Sequence, residues 1–508
     1  MNDAQLVARI LRSIAHLLRS RPLSESLADP AVRSDVEMAE KLLGVIARRI
    51  SGGARHEAHA AAVAGITLEA CDLLNINAPL ASAGLRLWNN PSILVGQPPS
   101  PSRFDDSILA RLAATLDDTE PTETARRARE LFRRFAKLEG DYTLELDPDA
   151  GGGTLSAYSR APAGKSDESR SASSPDALVE IDADTLTRYL RRRFTEAPDI
   201  HAINVRKLPG GFSKETTLFE IRDGGSWDGA AIMRKDAPVP GLRGSAIDEF
   251  ALLRHAWTIG VPVPEPLWAE ADAHWFDGAF IVVKKVAGSN AIDWATDVGA
   301  CRRFADQLAA ALVKIHAIRP ADLDVADQVP ASARDAQLQH IAWEREHYRT
   351  SVEQLNPRIE AAYGWLMHNL PEPNVREPSL VHAGLGFHNL MMRNGDLTAI
   401  LDWELAHFGD PADDLGYMRL FIEKIMPWEE FTSRYIKHGG STLRPEQERF
   451  YAVWRNLRNA SGCAGSKSRY LGGTHESVKL AYSGVILGPR FELQALREIE
   501  AAIEHSSS

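Results

Sequence analysis

Apolar residues recur every three or four positions through most of the first 146 residues. Leu6, Ile10, Ile14, Leu17 and Leu18 line one face of a helix, and segments 36–50, 56–74, 108–116 and 123–138 repeat the spacing. Segments 75–79 and 89–102 interrupt it with Asn, Pro and Gly and read as loops. The pattern predicts an all-α domain over 1–146, read as an accessory domain through which a homo-oligomer would form. Its last helix carries Arg126, Arg127, Arg129, Arg133 and Arg134, a run that a solvated helix face explains better than an anion site.

The pattern then stops. Residues 147–177 are rich in Gly, Ser, Ala and Pro and nearly free of large apolar residues. Such a segment buries too little surface to offset its ordering entropy, so it is expected to be a flexible linker. From 178 onward short apolar runs replace the helical period. A short helix opens at 184–186, with Asp184 as its expected cap. Runs 203–205, 217–221, 230–233 and 280–283 read as strands, with a helix over 247–259 between the last two. From 288 the helical spacing returns. Phe304, Leu308, Leu312 and Ile315 share a face that ends at His316, read as a structural histidine. Aromatic-bearing helical patterns follow over 330–375 and 417–495. The predicted order is a helical domain, a linker, a β-rich lobe over 178–287 and a helical lobe over 288–508, an α+β protein.

Composition removes several function classes. Of 508 residues, 44% are apolar and 25% charged, which suits a chain with real cores. A net charge of −11 argues against general nucleic-acid binding. Cys71, Cys301 and Cys463 are too few and too far apart for a disulfide framework or a zinc site, and fit a reducing, cytoplasmic setting. No apolar run approaches a membrane span of ~20 residues, so no membrane partner is expected. The Arg-rich amphipathic start reads as a first helix rather than a transit peptide.

Candidate chemistry concentrates in 381–414, which reads VHAGLGFHNLMMRNGDLTAILDWELAHFGDPADD. Asn394-Gly395 between two short apolar runs is a strong hairpin signal. The hairpin brings Asn389, just before its first strand, close to Asp402, just after its second. An amide and a carboxylate so placed suit Mg²⁺ bound to nucleotide phosphates, because Mg²⁺ takes a few hard oxygen ligands. Glu404, two residues on, would add a carboxylate on the same side if the chain stays extended. Upstream, Gly210, Gly211 and Ser213 lie in a turn between strands, where backbone N–H groups can cover phosphates. A plain hairpin explains that turn equally well.

Protein kinases arrange His-x-Asp-x-x-x-x-Asn, a hairpin and a metal-binding Asp in this order. On His382, Asn389, Asp402 and Asp410, the segment 203–414 resembles the aminoglycoside phosphotransferase-like family of small-molecule kinases. The resemblance implies a two-lobed protein-kinase-like fold, ATP or GTP with Mg²⁺, and a small-molecule hydroxyl as phosphoryl acceptor. It places Arg234, beside Lys235, where kinases carry the phosphate-holding lysine, with Glu249 as its helix partner. It makes Lys284–Val286 the start of the hinge that binds adenine through backbone groups. His382 becomes the structural histidine of the catalytic loop, and Asp410 a carboxylate that steadies that loop. It assigns the acceptor pocket to the helices of 330–375 and 417–495, whose aromatics suggest an apolar acceptor. One departure outweighs the matches: Gly384 stands where the family carries its catalytic Asp. A glycine accepts no proton. Four readings follow: a slow or substrate-assisted phosphotransferase with His388 or Glu404 as substitute base, a nucleotide-binding pseudokinase with a regulatory or scaffolding role, a substitution at 384 in a parent that carried Asp there, or a different nucleotidyl chemistry such as AMP transfer.

Overall fold

A computed structural model describes residues 181–208, 214–236, 245–353, 355–472 and 478–506, with scattered positions between 38 and 147. The described positions from 38 to 145 are helical. Gly210, Gly211 and Ser213 lie outside the described residues, as does nearly all of the predicted linker. The chain forms two compact units. One comprises Lys165–Gln337 and Pro373–Leu443; the other comprises Met1–Gly164, Leu338–Glu372 and Arg444–Ser508. The sequence boundary at 287/288 therefore does not separate compact units.

The first unit begins with α1 (Ala183–Arg193), whose cap is Asp182 and not Asp184. The Asp182 carboxylate accepts the Thr185 N–H at 2.8 Å, and the Thr185 hydroxyl oxygen accepts the Asp182 N–H at 3.0 Å. That reciprocal box satisfies two donors, where Asp184 would satisfy none. Five strands follow: β1 (His201–Leu208), β2 (Lys214–Arg222), β3 (Gly229–Asp236), β4 (Pro266–Glu270) and β5 (Phe280–Lys284). They form one antiparallel sheet in the order β1-β2-β3-β5-β4. Strand alternation gives this sheet two chemically different faces. Phe219, Ile221, Ala231, Met233, Phe280 and Val282 share a buried core with Leu186, Tyr189 and Leu190 of α1. Phe276 belongs to the same core and meets Tyr189 edge to face, so its ring is a packing residue. The other face carries Lys214, Thr216, Arg234 and Asp236, as the pairs Lys214/Asp236 and Thr216/Arg234 require.

Between β3 and β4 runs α2 (Ala246–Thr258), capped by Ser245. Asp236 at the end of β3 also accepts the Ala246 N–H at 3.0 Å, which pins the start of α2 to the sheet. After β5 come α3 (Val298–Ala317), capped by Asp297, and strand β6 (Ser379–Val381). The hairpin of β7 (Leu390–Arg393) and β8 (Asp396–Ile400) follows. Its turn has φ of 54° at Asn394 and 80° at Gly395, the left-handed pair that the Asn-Gly signal predicts. β9 (His407–Gly409) pairs with β6, and α6 (Ala412–Ile422) and α7 (Trp428–Lys437) close the unit.

The second unit packs α4 (Ala333–Ser351, from Leu338 on), α5 (Pro357–His368), α8 (Pro445–Gly472), α9 (Val478–Tyr482) and α10 (Gly488–Ser506). Buried Glu360 of α5 is clamped by Arg345 and Arg349, each at 2.6 Å. Arg490 holds Asp147, where the linker was predicted to begin, with a contact at 2.8 Å. Tyr348, Tyr363, Tyr451 and Trp454 are fully buried here, as Tyr435 is in the first unit. These aromatics are core, so they do not support an apolar acceptor. Among the described residues, no helix is long and apolar enough to cross a membrane.

Candidate active site

The polar face of the five-stranded sheet supplies one half of the site. Arg234 Nη1 donates to Glu249 Oε1 of α2 at 2.7 Å, and its Nη2 donates to Asp402 Oδ1 at 3.0 Å. One planar guanidinium thus spans two carboxylates 153 residues apart in sequence, which a single ammonium does less well. Burial opposes the charge on Arg234, but the carboxylates of Glu249, Asp402 and Glu404 outweigh it and raise its pKa. Glu404, half-buried, therefore acts electrostatically on the same cation as Asp402. Lys235 is not part of this group. Alternation turns it to the α1 face, where its ammonium donates to the Phe276 carbonyl and pairs with Glu215, both at 2.9 Å.

The catalytic-loop segment supplies the other half. His382 is fully buried between β6 and Trp403, with ring centroids 4.6 Å apart. Its Nε2 lies 2.9 Å from the Leu401 carbonyl and its Nδ1 3.2 Å from the Gly384 N–H. Those partners assign a neutral ring that donates from Nε2 and accepts at Nδ1. Asp414 accepts the His382 N–H at 2.9 Å and the Ala383 N–H at 2.7 Å, and takes a third contact from His316 at 3.0 Å. Asp414, which reads as structural in the same way as Asp410, thus accepts two backbone N–H groups of the loop, and Asp410 accepts the Ala412 N–H at the start of α6. Ala383 has φ +63° and Asp402 φ +65°. Left-handed backbone at a non-glycine residue costs about 1 kcal/mol or more, and it clusters at functional sites.

Asn389 and Asp402 flank the hairpin as predicted. The Leu401 N–H donates to the Asn389 carbonyl at 2.8 Å, closing the ladder beside both. Asn389 Nδ2 donates to the Gly384 carbonyl at 3.0 Å, which fixes the amide and, among the described residues, leaves Oδ1 as an acceptor without a partner. Asp402 uses Oδ1 on Arg234, and Oδ2 has no partner among the described residues. Two hard oxygens fit the requirements of Mg²⁺, which takes one or two protein ligands and completes its shell with phosphate and water. Among the described residues no group of three or more His, Cys, Asp or Glu is gathered to hold a metal, so a nucleotide would have to complete the set.

At position 384 the backbone does not demand glycine. A Cβ there would lie 3.4 Å from Asn389 Nδ2 and 3.6 Å from the His382 ring, both ordinary contacts. Gly386 is different. A Cβ there would stand 2.4 Å from His388 Cε1 and 2.7 Å from Phe421 Cζ. His388 is thus folded back over the loop. Its outer surface is exposed, yet packing desolvates the ring and lowers its pKa.

The hinge is open where the resemblance needs it. The Lys284 N–H donates to Glu265 and the Lys285 N–H to Ala230, both at 2.9 Å. Val286 makes no backbone hydrogen bond among the described residues, leaving a donor and an acceptor for a base. The Lys284 side chain is exposed and paired with Glu265 at 3.1 Å. One residue that the sequence reading passed over is Lys214, buried on the Arg234 face. Its signal was present: it follows the glycine-rich turn directly and shares strand parity with Thr216.

Residues 204–453 match the profile of the phosphotransferase enzyme family. Curated relatives include acyl-CoA dehydrogenase family member 11 of Gallus gallus, 27% identical over 62% of this chain and 45% of that protein. The Mus musculus protein of the same name is 30% identical over 45% of this chain and 30% of its own length. The chain spans less than half the length of these curated relatives. Solved structures similar to it include a macrolide 2′-phosphotransferase of Brachybacterium faecium. That likeness has 16% identity and a TM-score of 0.40, covering 60% of this chain and 98% of the other.

Proposed function

We propose, from the premise that residues 204–453 belong to the phosphotransferase enzyme family, that this chain binds ATP or GTP with Mg²⁺ and transfers the γ-phosphoryl group to a hydroxyl of a small molecule, slowly for want of a base at position 384. The observation that carries the proposal is Arg234 bridging Glu249 and Asp402. Arg234 holds the phosphates, and Glu249 fixes its direction. Asn389 Oδ1 and Asp402 hold Mg²⁺, which when bound neutralises phosphate charge and orients the transferred group. The open backbone of Val286 takes the base, and Asp414 keeps the loop under His382 in place.

Positioning and charge neutralisation carry most of phosphoryl transfer, while a general base adds about 10²–10⁴-fold. The site retains the first and lacks the second at its usual place. The second reading, a nucleotide-binding regulatory protein, draws on that same missing carboxylate. A cytoplasmic setting fits the free, buried thiols of Cys301 and Cys463. Calorimetry with ATP and GTP, with and without Mg²⁺, tests the common part of both readings. A panel of hydroxyl acceptors then separates them, and it includes a hydroxyacyl-CoA because the curated relatives carry an acyl-CoA dehydrogenase name. Phosphorylation of any acceptor supports the enzyme, and binding without transfer to any supports the regulator. No binding of Mg²⁺-nucleotide removes both.

A further inference from the structure

The pairing of β2 with β3 places a second cation beside Arg234. Lys214 opens β2 and is opposite Asp236, two positions along from the Thr216/Arg234 pair and on the same sheet face. Its side chain is only 5% exposed. The ammonium donates to Asp236 Oδ1 at 2.9 Å and lies 3.7 Å from Glu249 Oε2. That second distance is an ion pair and not a hydrogen bond. Glu249 Oε2 is buried with no hydrogen-bond partner among the described residues. An ammonium has three N–H groups, and among the described residues Lys214 donates to one acceptor. A buried ammonium with two donors unused is costly unless a further acceptor arrives.

The neighbourhood says which acceptor. Lys214 follows the predicted phosphate-covering turn directly, and it shares the Glu249 carboxylate with Arg234, one oxygen to each cation. We propose that Lys214 is a phosphate-binding residue of the nucleotide site, supplying from β2 the compact ammonium that the Arg234 face of β3 lacks, since Lys235 is turned to the other face. The division of labour follows from side-chain geometry. Arg234 uses its fork to hold Glu249 and Asp402 together while its charge faces the phosphates, and Lys214 adds a second, point charge to the phosphate oxygens. Asp236 ties this cation to the start of α2, so that Glu249 and both cations move as one group.

The inference rests on the nucleotide-binding reading, and one set of titrations separates the two. Calorimetry with ATP, ADP and adenosine is run on the full chain and on Lys214→Met and Lys214→Arg, each checked by thermal unfolding. Lys214→Met is expected to weaken ATP and ADP by roughly 10–100-fold, the span of a charge-assisted hydrogen bond, while adenosine stays within about twofold. Lys214→Arg is expected to regain most of the loss, since the charge returns. If Lys214→Met fails to fold, Lys214→Gln replaces it with the same expectation. ATP affinity unchanged without the charge overturns the proposal. So does a parallel loss of ATP and adenosine, which marks a residue that only holds α2. If the unaltered chain binds adenosine but neither ATP nor ADP, the phosphate site itself is absent and both readings fall.

Discussion

The polar sheet face and the catalytic loop meet at Asp402, but they differ in what they hold. On the sheet face charges are paired: Arg234 serves Glu249 and Asp402, and Lys214 serves Asp236 and Glu249. The loop is just as firmly built, with Asp414 accepting two of its backbone N–H groups and His382 bracing it against Leu401. Yet the loop presents no proton acceptor at Gly384. On the proposed function, nucleotide binding and proton removal would therefore be separable in this fold.

The comparison can be broken hardest at the point where the halves join. Asp402→Ala removes the proposed metal oxygen and the second carboxylate of Arg234. It is expected to weaken Mg²⁺-ATP by roughly 100-fold or more by calorimetry, the upper range for changes around a metal. A change below about threefold would detach Asp402 from the site. On the sheet side, Glu249→Gln leaves Arg234 buried with one carboxylate in place of two. Loss of about 2–3 kcal/mol is expected in denaturant unfolding, together with weaker ATP binding. Stability at the unaltered level would mean that Asp402 alone satisfies the guanidinium.

On the loop side, Gly386→Ala drives a methyl into the space of His388 and Phe421. Overpacking of this kind costs about 1–3 kcal/mol, read as a lower unfolding midpoint in urea. An unchanged midpoint would show that His388 swings clear without cost. The smallest effect is remote from both halves: Asp182→Ala removes the α1 cap for about 0.5–2 kcal/mol, while ATP affinity is expected to hold. Loss of ATP affinity there would show that the α1 face of the sheet is coupled to the polar one.

These two regions also differ in how legible they were. The hairpin was readable because Asn394-Gly395 fixes its register locally, and that register sets Asn389 and Asp402 beside each other. Arg234 and Glu249 were readable from motif order. Lys214 was not singled out, because its meaning comes from strand pairing with Asp236 and from α2, neither of which is local. Asp410 and Asp414 both read as structural carboxylates, but that Asp414 reaches the His382 backbone 32 residues away comes from the fold. Asp182 and Asp184 posed a smaller version of the problem. There the spacing to Thr185 held the answer, as a capping box. The aromatics of the second unit misled for a general reason: long helices bury aromatics in cores far more often than they offer them to ligands.

The central claim is that this site binds a nucleotide for phosphoryl transfer and lacks only the proton acceptor at position 384. Gly384→Asp tests it most directly, since a Cβ at that position meets only ordinary contacts. Nucleotide affinity and ATP turnover would be measured side by side for this variant and the unaltered chain, with Mg²⁺ present. Affinity within about threefold of the original and turnover raised by about 10²–10⁴-fold is the predicted result. Equal affinity with no gain in turnover would contradict the account, because the missing base would then not be what limits the chain.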